Sequence, residues 1–70
     1  MKVTVCYSTE STVEVDDKYA EMTKCDLHTQ EGYVKWDTMA KELETFLQTK
    51  LPTNAEIKWV YSDEGDLYEN

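Results

Sequence analysis

"VYSDEGDLYEN", residues 60–70, holds four carboxylates, two tyrosines, one glycine and no positive side chain. It is either a loose acidic tail or the second arm of a hairpin, and the choice decides whether the chain can close a sheet. "SDEGD" has the composition of a tight connection: Asp63 and Glu64 suit a type I turn, and Gly65 can take the positive φ that a bulged return needs. "DLYEN" is then long enough for a short edge strand, with Leu67 or Tyr68 contributing to the core. A hairpin arm is therefore expected.

Upstream, "EIKWVYS" (56–62) alternates, with Ile57, Trp59 and Tyr61 on one face and Lys58, Val60 and Ser62 on the other. The N-terminal "KVTVCYS" does the same, setting Val3, Val5 and Tyr7 against Thr4, Cys6 and Ser8. After the polar "TES", "TVEVD" places Val13 and Val15 on one side, so residues 2–16 read as a first hairpin whose loop lacks glycine. Between the hairpins, Trp36, Met39, Ala40, Leu43, Phe46, Leu47 and Leu51 recur at the spacing of one helical stripe. Asp37 or Thr38 suits the N-cap, Tyr33 and Val34 fit an earlier start on the same stripe, and Pro52 stops the helix. In residues 17–31, Asp16 can cap a short helix with Tyr19, Ala20 and Met22 inward. Together these elements predict a single α+β domain over residues 1–70. Its antiparallel four-stranded sheet, in ββ(α)αββ order, has one main helix packed on one face and the other face wet.

Seventy residues bury a small core, and self-association or a partner would help it. The aromatic content, two Trp, five Tyr and one Phe, argues against disorder. Fifteen Asp and Glu face seven Lys and no Arg, giving a net charge of −8. Direct nucleic-acid binding is disfavoured by sign and by chemistry, because its footprint is a basic patch and its preferred side chain is the absent guanidinium. The excess is segregated: residues 10–31 carry seven acids against Lys18 and Lys24, residues 32–61 balance four against four, and residues 62–70 carry four acids alone. No apolar stretch resembles a signal or a membrane span, so a cytoplasmic location is expected.

Cys25 and His28 are spaced as half of a metal site that Cys6 would have to complete, but a structural zinc site draws its ligands from paired motifs. The same residues lack the orienting group and substrate groove of a thiol enzyme. Carboxylate pairs such as Asp16 with Asp17, Asp63 with Glu64 and Glu42 with Glu44 are too many to mark a general acid and base, and "DEGD" lacks the ligand pattern of a calcium loop. No enzyme, cofactor or metal is therefore expected; two cysteines in a reducing compartment read as free thiols.

The two acidic segments remain. Glu14 and Asp16, two apart on a strand, would set carboxylates roughly 6.5–7 Å apart, comparable to successive phosphates of a nucleic acid. If the hairpins lie side by side, Asp63, Glu64, Asp66 and Glu69 extend that field. The expected function is a small acidic module, an inhibitor or adaptor, that presents Glu14, Asp16, Asp17, Asp63, Glu64 and Asp66 to a basic, nucleic-acid-binding surface of a partner protein. Tyr68 and Tyr61 would serve as apolar anchors. In broad character, though in no motif, the chain resembles the small acidic proteins of phages and mobile elements, among them anti-CRISPR proteins and other nucleic-acid mimics. Two other readings compete: a structural subunit that self-associates through the C-terminal arm, and a small metal-binding module. Charge that serves solubility alone would also give this composition.

Overall fold

A computed structural model describes residues 1–69. Strands β1 (Lys2–Cys6) and β2 (Glu10–Glu14) form the first hairpin, a 3-10 helix (Asp17–Lys24) and helix α1 (Gln30–Gln48) follow, and β3 (Trp59–Ser62) and β4 (Gly65–Glu69) form the second hairpin. The sheet order is β2-β1-β3-β4 with every neighbouring pair antiparallel, which is the expected α+β arrangement. The C-terminal segment is an arm of the sheet. Asn70, the last residue of the expected return strand, lies outside the described residues.

The first turn is made by Tyr7, Ser8 and Thr9, with Cys6 opposite Glu10 and the Tyr7 N–H donating to the Thr9 carbonyl at 2.8 Å. Pairing thus begins two residues earlier on β2 than the alternation of "TVEVD" alone suggests. Val3 and Val5 are buried, and Val13 packs against the core from opposite Val3. In the second turn Gly65 has φ +133°, the left-handed region expected there.

β3 departs from its expected phase. Val60 lies opposite Val5, both fully buried, while Trp59 and Tyr61 lie opposite Cys6 and Thr4 on the outer face. Ile57 is buried as well, but it precedes the strand, in a stretch held by the Lys58 N–H donating to the Cys6 carbonyl at 2.8 Å. Ile57 and Val60 are three positions apart, an odd spacing, so strict alternation cannot turn both inward. The pattern misleads because each face of this strand holds an apolar or aromatic side chain.

A β-bulge resolves which residue of β4 enters the core. Val60 pairs with Tyr68 and Tyr61 with Asp66, leaving Leu67 as the extra residue. Both Leu67 and Tyr68 are buried as a result. The Trp36 indole N–H of α1 donates to the Leu67 carbonyl at 2.8 Å, fastening the helix to the edge strand at the bulge.

Helix α1 starts earlier than its apolar stripe indicates. Thr29 is the N-cap, its hydroxyl accepting from the Gly32 N–H at 3.0 Å. Ala40, Leu43 and Leu47 face the core with Trp36 and Met39 partly buried, whereas Tyr33, Val34 and Phe46, expected on the same stripe, remain largely exposed. Leu51 is buried beyond the helix end. The 3-10 helix has the expected cap, the Lys18 N–H donating to Asp16 Oδ1 at 2.8 Å, and buries Tyr19 and Met22. It is tied to α1 through Glu42, which takes Lys18 Nζ at 2.6 Å and the Tyr19 hydroxyl at 3.1 Å.

Between these helices, Asp26 Oδ1 accepts from the His28 N–H and the Asp26 carbonyl accepts from the Thr29 hydroxyl. The loop folds back so far that a Cβ at Gly32 would collide with the Asp26 carbonyl oxygen and stand 2.8 Å from Thr29 Oγ1. Gly32→Ala is therefore expected to lower stability by about 1–3 kcal/mol despite alanine's better helix propensity. Urea denaturation tests this, and a variant at least as stable as the parent would mean that the Asp26 loop gives way freely.

Candidate functional site

The chain's acids reach two neighbouring regions of the sheet. Because β1 pairs with both β2 and β3, the start of β1 is flanked by the end of the first hairpin on one side and the second turn on the other. Glu14 lies opposite Lys2, and Met1, Lys2, Ser62, Asp63 and Glu64 line an open recess of about 300 Å³. Glu14, Asp17, Asp63 and Glu64 are thus drawn around one end of the sheet.

They are not equally free. The Met1 amine donates to Asp17 Oδ1 at 2.7 Å and to Glu14 Oε1 at 3.1 Å. Donating to these two carboxylates, Asp17 first, raises the pKa of the amine, and the amine in turn lowers that of Asp17. Asp16 is engaged in capping the 3-10 helix. Asp63 and Glu64 are exposed with no ion-pair partner among the described residues. Within the acidic cluster they are the two carboxylates that make no ion pair among the described residues.

The second region is the sheet face turned away from α1. Register places Lys2, Thr4 and Cys6 of β1 beside Glu14, Thr12 and Glu10 of β2, then Tyr61 and Trp59 of β3, then Asp66 and Glu69 of β4. Trp59 and Tyr61 stand side by side with ring centroids 4.5 Å apart, and neither belongs to the core or packs against it. The Trp59 indole N–H donates to Asp66 Oδ1 at 3.0 Å, fixing both the ring and the carboxylate. An aromatic pair thus occupies the middle of an open face with carboxylates on both edge strands. Of the residues expected to bind a partner, Glu14, Asp66 and Tyr61 lie here. Glu69 was expected in the acidic field, whereas Glu10 was not singled out and the alternation of "EIKWVYS" set Trp59 on the core face.

Tyr68, expected both as a possible core residue and as an apolar anchor for a partner, is corrected as an anchor: it is only 5% exposed, carried inward by the bulge, and its hydroxyl has no hydrogen-bond partner among the described residues. Cys6 and Cys25 are free thiols, and Cys25 Sγ donates to the Glu21 carbonyl. Burial, with Glu10 adding to it, pushes the Cys6 thiol up, away from the reactive thiolate. Cys6 lies on the outer sheet face and Cys25 just past the 3-10 helix; no group of three or more His, Cys, Asp or Glu side chains that could hold a metal ion occurs among the described residues. No helix among them is long and apolar enough to cross a membrane.

Neither family models, nor curated proteins, nor solved structures yield a match to this chain.

Burial raises the Tyr68 phenol pKa well above its ordinary value of 10.0, and Glu44 adds to the rise. In the unfolded chain the phenol ionises near 10, so the stability linked to it is fully present below that pH and lost as pH climbs toward the folded value. Tyr68→Phe removes a buried hydroxyl that has no partner among the described residues. It is expected to stabilise the fold by about 1 kcal/mol at neutral pH and to flatten the decline above pH ~10, with Tyr19 leaving a smaller residual slope. Denaturation at both pH values tests this, and a Phe variant less stable than the parent at neutral pH would mean that the hydroxyl is satisfied.

Proposed function

We propose that this protein is a binding module whose acidic sheet surface engages a basic region of a partner protein, acting as an inhibitor or adaptor. The observation that carries this reading is the pairing of β1 with β3, which brings the acids of two distant segments around one end of the sheet. Asp63, Glu64 and Asp66 follow one another through the second turn into β4, with Tyr61 beside them on β3. A group of carboxylates on one surface can occupy lysines and arginines that otherwise hold phosphates, so a nucleic-acid-binding surface is the fitting kind of partner site. The field acts mainly on encounter, where long-range attraction raises the association rate.

Self-association through β4 fits the charge less well. An antiparallel pairing of two β4 edges would bring Asp66 and Glu69 of one copy toward those of the other, and like charges across strands are destabilising. The 3-10 helix also packs beside β4.

Capture from the source cells with the parent chain and with Asp63→Asn/Glu64→Gln/Asp66→Asn tests the proposal, followed by kinetics on the captured protein. The expected partner is basic, is lost or weakened in the variant, and associates more slowly as salt rises. Displacement of the chain by duplex DNA would place the contact at a nucleic-acid site. A partner retained equally by the variant, with a salt-independent association rate, would sink the reading.

A further inference from the structure

We infer that the open sheet face is a seat for an arginine side chain, with Trp59 and Tyr61 as its stacking surface and Asp66 and Glu69 as its anionic partners. The inference rests on the binding role proposed above and specifies the chemistry of the partner's contact residue.

Three features of this face point the same way. First, the fold does not need the aromatic pair. Val60, between them, supplies the core contact of β3, and the two rings are left part-exposed on the far side. Exposed aromatic rings on a platform of short polar residues, here Thr4, Thr12 and Cys6, offer a flat π surface to a ligand.

Second, the carboxylates are placed for a cation resting on that surface. Asp66 lies opposite Tyr61 and Glu69 opposite Trp59, so one acid flanks each ring along β4. The Trp59 N–H occupies Asp66 Oδ1 and holds the group in position, which leaves Oδ2 for an incoming donor. Glu10 closes the same row on β2, beyond Cys6. Of the nearby cations, Lys2 sits at the opposite end of the face across from Glu14, and Lys58 pairs with Glu56 at 3.4 Å.

Third, the geometry selects among cations. A guanidinium is planar, stacks on aromatic rings and forks two N–H groups toward a carboxylate, whereas an ammonium is a compact, strongly hydrated point charge. Two rings on an open face do not enclose a quaternary ammonium as an aromatic cage does. A phosphate-bearing ligand is repelled by the flanking acids. A second copy of the chain cannot be the occupant, because the sequence contains no arginine and each copy carries a charge of −8.

The test titrates the full chain with a short unstructured peptide containing two arginines, and with the same peptide bearing lysine or citrulline in their place, while backbone amide and indole NMR signals are followed. The expected result is shifts at Trp59, Tyr61, Asp66 and Glu69 with the arginine peptide, binding several-fold weaker with lysine, and none with citrulline. Trp59→Leu is expected to weaken the arginine peptide about tenfold. Asp66→Asn, which keeps an acceptor for the indole, should weaken it several-fold with the fold intact by its amide spectrum. Equal binding of arginine and lysine peptides, unaffected by Trp59→Leu or Asp66→Asn, would overturn the inference. If that same binding fell on Asp63→Asn/Glu64→Gln, the acidic-module reading would survive without the aromatic seat. Shifts confined to the end of the sheet near Met1 would overturn the inference as well.

Discussion

The pairing of β1 with β3 governs both the interior and the exterior of this domain. Placing Val60 opposite Val5 buries both completely and joins the two hairpins into one sheet. Alternation then leaves no choice for their neighbours, and Trp59 and Tyr61 are turned outward because Val60 is turned inward. A slip of one residue would bury the two large rings against α1 and strip the outer face of its aromatic centre. The same pairing sets the second turn beside the start of β1, which is why acids nearly fifty residues apart in the chain become neighbours.

The bulge at Leu67 is the second constraint. A regular β4 would send one of Leu67 and Tyr68 into the core and the other into water. The extra residue turns both inward and frees a carbonyl that Trp36 takes up, so the edge strand, the shortest route to a frayed C-terminus, is fixed from two sides. A core this small gains from each such attachment. The Tyr68 hydroxyl, without a partner among the described residues, is a defect accepted in the same exchange, because the bulge fixes where the ring must point.

Much of the architecture was legible in the residues. Val3 and Val5, the stripe of Ala40, Leu43 and Leu47, the cap at Asp16 and the glycine at position 65 each signalled their element through a local rule that the fold obeys. The candidate site was legible only in part. Asp63, Glu64, Asp66 and Tyr61 stood out by charge and position, but Trp59 was set on the core face and Tyr68 was read both as a core residue and as an anchor. For Trp59 the reason is that alternation cannot choose between two faces when each is apolar, and only the register with Val5 decides. For Tyr68 it is that a bulge adds a residue without any marker of its own. The helix start escaped notice because Thr29 and Gly32 act through a hydroxyl cap and a close backbone approach, while Tyr33 and Val34 imitate a buried stripe that the helix leaves exposed.

The edges of the sheet also set the size of what can lie on it. On β4 the bulge breaks the even succession of amide and carbonyl groups, and on β2 both terminal positions are glutamates, so neither border is a good template for a fifth strand. The platform stays four strands wide, roughly 14 Å from border to border. That width matches about four residues of extended polypeptide. A ligand lying across it would be recognised over a very short motif, one central side chain with a flanking contact at each border, and anything longer would have to gain its remaining affinity beyond the sheet.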